Sequence, residues 1–284
     1  MNDEINSNWN YAVCYLEFLF NDLVIAKGSG FFWEASSKQI FLISNWHNFS
    51  GRSNEDGQPL SKETGATPNS VSFYAYQQLS EPDENNQFAL NITKTTVPLV
   101  HPTTGDNLWY EHPTFGRRVD LGALRASNIK NFNHIVKPAN TLETDCGEKF
   151  CVSQDAFIVG YPLGLVTAAI PIPVWKRGTI ATEPYINPDG NPFIYVDAAT
   201  RKGMSGSVVV VKDTFFGQHL KKDGTKSANT IISKHEQILG IYSGRLHPNN
   251  VEAQLGKVWK RHLIDELVES PKIADTSLIA VSPS

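Results

Sequence analysis

Four consecutive valines, Val208-Val209-Val210-Val211, follow directly on Gly203-Met204-Ser205-Gly206-Ser207. β-Branched residues in an unbroken run predict a buried strand, and the glycines around Ser205 predict a tight turn feeding into it. Similar strand-forming runs recur at 11–20, 27–33, 39–44, 71–77, 156–159, 174–181, 193–197, 207–212 and 237–243, with Gly-, Pro- and Asn-rich stretches between them. That rhythm predicts antiparallel all-β architecture. The loops 50–70 and 80–91 are long, 185–192 reads as a turn between strands, and 130–145 is the natural place for a split into two units. A chain of 284 residues can form one large β unit or two half-size barrels. Only the tail differs: Val251, Leu255, Val258, Trp259, Leu263, Ile264, Leu267 and Val268 recur at helical spacing and predict a C-terminal helix packed on the second unit.

Composition removes several classes. With 40% hydrophobic and 19% charged residues, the chain is neither disordered nor membrane-like, and no apolar run reaches the roughly 18 residues of a spanning helix. A net charge of −4 gives no footprint for nucleic acid, and Lys221, Lys222 and Lys226 read as a solvated hairpin tip. The start, Met1 to Asn10, is polar and acidic and carries no secretory signature. Three cysteines, an odd count, favour a reducing, cytoplasmic compartment, although Cys146 and Cys151 are close enough to bridge. No Cys/His cluster has ligand spacing, so no metal and no other cofactor is predicted.

Three residues stand out for chemistry. His47 follows the apolar run Phe41-Leu42-Ile43-Ser44, Asp120 interrupts Val119-Asp120-Leu121-Gly122-Ala123-Leu124, and Ser205 sits on its glycine turn. A serine nucleophile needs a neutral imidazole to take its proton and a buried carboxylate to fix the imidazole tautomer. The order His, Asp, Ser is that of chymotrypsin-type enzymes. Each residue also has a plain reading: a core histidine, an aspartate pairing with Arg117, Arg118 or Arg125, a turn serine. His101, His112, His134, His219, His235, His247 and His262 read as surface positions.

Further motifs appear in the same order along the chain. Gly28-Ser29-Gly30-Phe31 resembles the G-[ST]-G-F strand of trypsin-like (chymotrypsin-fold) serine peptidases of the bacterial, non-secreted type. Ser44-Asn45-Trp46-His47 stands where that family has T-A-A-H. Asp120 to Leu124 resembles its aspartate segment, Gly160-Tyr161-Pro162 its G-[YF]-P turn and Lys176 to Ile180 its K-x-G-x-[IV] strand. Leu239-Gly240-Ile241-Tyr242-Ser243-Gly244 resembles its substrate-binding strand. The matches run from Gly28 to Gly244, most of the chain.

The resemblance implies two six-stranded antiparallel β-barrels with a C-terminal α-helix. It divides the chain into 1–135 carrying His47 and Asp120, 136–270 carrying Ser205 and the helix, and an exposed tail, 271–284. It implies a serine endopeptidase acting on protein or peptide substrates; charge and hydropathy point to neither nucleic acid nor membrane as partner. The oxyanion hole falls to the N–H groups of Gly203 and Ser205, and substrate binding to Ala199, Thr200, Tyr242, Ser243, Gly244 and Arg245. Ala199 stands where trypsin-like enzymes carry an aspartate for basic side chains. Thr200 matches the threonine of enzymes that accept Glu or Gln, but Tyr242 replaces their histidine. With Arg245 near by, a polar or acidic preference is expected. Met204 replaces the zymogen aspartate and no Ile-Val-Gly-Gly start is present, so control is expected from loops, oligomerisation or a regulatory protein partner. A catalytically silent peptide-binding module is the alternative, kept open by Arg201 and Lys202 before Gly203. A hydrolase of esters is a third possibility.

Overall fold

A computed structural model describes residues 7–78, 90–129, 132, 134–144, 149–164, 171–220, 226–246 and 254–275. In the first half the strands are β1 (Val13–Phe20), β2 (Leu23–Glu34), β3 (Ile40–Ser44), β4 (Ser70–Gln78), β5 (Leu90–Pro98), β6 (Tyr110–Glu111), β7 (Gly122–Arg125) and β8 (His134–Ile135), with a one-turn helix α1 (Trp46–Ser50) after β3. The second half contributes β9 (Asp155–Gly160), β10 (Val174–Ile180), β11 (Phe193–Asp197), β12 (Val208–Leu220), β13 (Lys226–Arg245) and β14 (Leu255–Lys260), then α2 (His262–Glu269) and β15 (Lys272–Ile273).

All described pairings are antiparallel. The order β15-β6-β7-β3-β2-β1-β4-β5, with β8 on β4, makes a nine-stranded sheet, while β10-β11-β14-β13-β12-β9 close into a six-stranded barrel. The chain is therefore all-β, two β units with a short helix near the C-terminus. Among the described residues no helix is long and apolar enough to cross a membrane.

Period-2 alternation explains why several strands read as continuous apolar runs: both faces are buried. On β1, Leu16 and Phe18 enter the core of the first unit, while Val13 and Tyr15 enter the core between the units. On β12, Val209 and Val211 fill the barrel, while Val208 and Val210 face the first unit. Burial of each such side chain stabilises by roughly 1.5–3 kcal/mol, so the seam between the units is a core in its own right.

All nine sequence-predicted strands form, but the tail departs from the expected long helix. Leu255–Lys260 is β14, and the helix begins only at His262. β14 bonds to β11 on one side and β13 on the other, closing the barrel. Gly256 is a poor helix former, and Val258 and Trp259 suit a pleated, buried surface, so tertiary pairing overrides the spacing. Of the expected exposed end, Lys272 and Ile273 pair with β6 and Ala274 is buried. Lys221, Lys222, His247, Val251, Cys146 and the 80–89 part of the second long loop lie outside the described residues, as does any Cys146–Cys151 bridge; Cys14 and Cys151 are free.

Candidate active site

β3 runs directly into α1, and β3 pairs with β7 so that Ser44 lies opposite Gly122. His47, three residues after Ser44, thereby meets Asp120, two residues before Gly122. The His47 Nδ1 to Asp120 Oδ2 distance is 2.7 Å, and the His47 backbone N–H donates to Asp120 Oδ1 at 2.9 Å. Asn45 Nδ2 donates to the Asp120 carbonyl at 2.8 Å. The two contacts fix both ring and carboxylate and leave Nε2 as the ring nitrogen that Asp120 does not engage. None of the three arginines offered as local partners takes Asp120. Arg118 instead lies over Phe115, and Arg125 over Phe41 and Tyr110.

Asp120 is buried, its side chain 1% exposed. Burial pushes its carboxyl up, but the adjoining His47 charge and the hydrogen bonds from His47 and Ser243 outweigh this and hold the pKa below the ordinary value. Asp120 is thus an anion at neutral pH, suited to stabilise an imidazolium.

Ser205 arrives from the barrel. Its turn is shaped by Gly203 (φ 90°) and Gly206 (φ 87°), backbone angles that favour glycine. A Cβ at Gly206 would stand 2.0 Å from the Ser29 carbonyl oxygen, so the turn lies against β2. Ser205 Oγ donates to the Ser243 carbonyl at 3.5 Å, and Ser243 Oγ donates to Asp120 Oδ2. Ser243 therefore joins the Ser205 turn to the His47–Asp120 pair.

The Gly203 peptide is oriented from outside. The Lys202 carbonyl accepts from the Leu163 N–H at 2.5 Å. Because a trans peptide is planar, the Gly203 N–H points the opposite way. Among the described residues, neither the Gly203 nor the Ser205 N–H meets a protein acceptor. Two N–H groups without a protein acceptor, one on the serine itself and one two residues before it, suit an oxyanion.

Ser29 and Asn48, given no role by sequence reasoning, hold this turn. Ser29 is fully buried and uses all its polar groups: N–H to the Ser205 carbonyl (2.9 Å), Oγ to the Gly203 carbonyl (2.8 Å) and from the Tyr161 N–H (2.9 Å), carbonyl from Ser44 Oγ (2.8 Å). Asn48 Nδ2 donates to Ser44 Oγ at 2.9 Å and to the Ser205 carbonyl at 3.3 Å. Ser29 lay within the G-S-G-F motif, but nothing in the sequence reveals its reach to Gly203. Asn48 carries no signal beyond its place next to His47.

The expected substrate-binding residues separate. Gly244 and Arg245 stay beside His47 and Asp120. Arg245 lines a recess of about 120 Å³ with His47, Asp120, Glu55, Ser243 and Lys257. Ala199 is exposed. Thr200 and Tyr242 are buried and hydrogen-bonded to each other through their hydroxyls. A larger cavity, about 720 Å³, lies elsewhere on the barrel between Tyr185, Ile194, Leu239 and Lys260, and none of the candidate catalytic residues lines it. One surface histidine is corrected: His112 is fully buried, because the turn N–H groups of Thr114 and Phe115 point at its Nδ1 and Glu266 faces its Nε2.

No protein-family model matches the chain, and no curated protein matches it. Among solved structures it is similar to a serine endoprotease from Yersinia pestis, at 14% identity and a TM-score of 0.47, over 92% of this chain and 62% of that one. The chain thus spans less than two thirds of that protein's length. It is also similar to the Rv3671c protease from M. tuberculosis in its active form, at 15% identity and a TM-score of 0.47, over 94% of this chain and 85% of that one. The inactive form of Rv3671c protease matches at 16% identity and a TM-score of 0.43, over 92% and 89%.

Proposed function

We propose that the chain is a serine endopeptidase in which His47, Asp120 and Ser205 form the catalytic triad. The observation that carries this reading is the bonded His47–Asp120 pair, joined through Ser243 to a serine whose own N–H and that of Gly203 meet no acceptor among the described residues.

In the proposed reaction Ser205 Oγ turns from the Ser243 carbonyl to His47 Nε2, gives up its proton and attacks the scissile carbonyl. Asp120 holds the imidazolium that forms. The Gly203 and Ser205 N–H groups receive the oxyanion, a contribution of about 3–4 kcal/mol per donor in comparable sites. The tetrahedral intermediate collapses, His47 protonates the departing amine, and water releases the acyl group by the same route. The substrate main chain lies along Ser243 and Gly244 as an added strand.

In this reading control acts at the Tyr161–Gly164 segment, where the Leu163 N–H bonds to the Lys202 carbonyl and Leu163 holds a left-handed φ of 57°. A regulatory partner that moved this segment would turn the oxyanion donors. The buried, unbridged thiol of Cys14 fits the reducing, cytoplasmic setting that the odd cysteine count suggests. Met204 is buried in the barrel core, which supports activation without the N-terminal switch of secreted zymogens.

Fluorophosphonate labelling tests the reading. Wild type is expected to label, and Ser205→Ala and His47→Ala are not. A folded wild type that stays unlabelled would instead favour the peptide-binding module, with Ser205 Oγ held on the Ser243 carbonyl.

A further inference from the structure

We infer that Tyr242 closes the primary specificity pocket from below, so that the enzyme cuts after small side chains such as Gly, Ala and Ser. The inference rests on the protease reading above and deepens it.

The resemblance places that pocket between two walls, the segment before Ser205 and the strand Tyr242-Ser243-Gly244. A deep pocket requires the walls to stand apart. Here they touch, because Tyr242 reaches from β13 and its hydroxyl bonds to Thr200 on the opposite wall. On the way the ring crosses Gly256 of β14, which lies opposite Arg245. A Cβ on Gly256 would stand 2.3 Å from Tyr242 Cε2 and 2.9 Å from its hydroxyl oxygen. The ring therefore lies beneath the Gly244–Arg245 backbone and fills the space between the walls. Tyr242 and Thr200 are each 1% exposed, so no channel from the surface reaches the pair.

Beside the nucleophile the space is open. The nearest atom to a Cβ built on Gly244 is Ser205 Oγ, at 4.0 Å. A pocket open at Gly244 and shut at Tyr242 accepts a methyl or hydroxymethyl group. It excludes a leucine or phenylalanine unless the buried Tyr242 ring moves. The expected acidic preference fails here for the same reason, because the Thr200 hydroxyl that would recognise a carboxylate is spent on Tyr242. Arg245 lies along the recess with Glu55 and Lys257.

The test uses the purified full chain and peptides differing only at the residue before the scissile bond, with fluorophosphonate labelling run in parallel. Wild type is expected to favour Ala over Leu, Phe and Glu by about tenfold or more in kcat/KM, the range that one or two excess methylenes command in a closed pocket. Tyr242→Val, which removes the ring, is expected to raise the Leu-to-Ala ratio by a similar factor. Tyr242→Phe keeps the ring and its profile is expected to match wild type, which covers the case in which the valine variant does not fold. Labelled wild type that cuts after Leu, Phe or Glu as well as after Ala would overturn the pocket inference and leave the protease reading standing. An equal profile in labelled Tyr242→Val would do the same. A folded wild type neither labelled nor cutting removes both.

Discussion

The contacts between His47 and Asp120 lie within the first β unit, and so does the Asn45 bond to the Asp120 carbonyl. The Ser205 turn belongs to the barrel, yet three bonds that hold it come from the other unit: two from Ser29 and one from Asn48. The His47–Asp120 pair is thus built locally, by one strand pairing, whereas the Ser205 turn and the two N–H groups proposed as oxyanion donors depend on how the two units meet. Loosening the seam should spare the imidazole tautomer and disturb the oxyanion site. Ser243 crosses the other way, carrying a barrel hydroxyl to Asp120.

The largest effect falls on the local pair. In Asp120→Asn the amide nitrogen would face donors, the His47 Nδ1–H, the His47 backbone N–H or the Ser243 hydroxyl, so the imidazole is driven to the wrong tautomer. A loss of about 10⁴-fold in kcat is expected near neutral pH, with the fold intact. A drop of less than tenfold, with unchanged thermal stability, would mean that His47 is oriented by something other than Asp120.

Ser29→Ala tests the seam at its centre. The Gly203 carbonyl and the Tyr161 N–H both lose their partner, and buried unpaired groups cost about 1–3 kcal/mol each in stability. Complete loss of an oxyanion donor costs about 10²–10³ in kcat, and a donor that is only loosened costs less, about tenfold. The kcat is expected to fall with KM within about twofold, and the affinity for a peptide boronate, which mimics the tetrahedral state, is expected to fall in parallel. Should the melting temperature drop while kcat and boronate affinity stay put, the seam is structural only and the contrast between the two sides dissolves.

This contrast also explains what the sequence could and could not tell. The nine strands are legible because alternation and β-branching are local, and His47, Asp120 and Ser205 stand out as candidates because their three types occur in a recognised order. The Ser29–Gly203 bond joins residues 174 apart, and no local pattern encodes a side chain meeting a carbonyl at that separation. The misread tail has a related cause. Leu255 to Lys260 carries apolar residues at spacings that suit a helix face, and only the vacant place between β11 and β13 decides for a strand. The sequence offers Thr200 and Tyr242 as candidate pocket residues, but their bond to each other, on which the proposed specificity turns, depends on the close approach at Gly256.

The smallest effect concerns a second link across the molecule, from His112 in the first unit to Glu266 on α2. Burial lowers the pKa of His112 below 6.5, with the Glu266 carboxylate opposing and His262 adding to the depression. Its Nδ1 accepts from the Thr114 and Phe115 N–H groups, both at 3.3 Å, and its Nε2 stands 3.1 Å from Glu266 Oε2. The folded ring is therefore the neutral form with its proton on Nε2, and a proton on Nδ1 would break the turn. Since the unfolded chain takes up that proton near pH 6.5 and the folded chain only at lower pH, this contribution to stability is complete above about 6.5. It is lost as the pH falls through the folded value. His112→Gln keeps an acceptor for the turn and removes the titration. Between pH 7 and 5 its melting temperature should fall less than that of wild type, by about 2 °C, while kcat at pH 7.5 stays unchanged. If the two proteins lose stability in parallel over that range, His112 does not carry the acid sensitivity. If kcat changes as well, the α2 link reaches the triad, and the two sides of the site are less independent than their hydrogen bonds indicate.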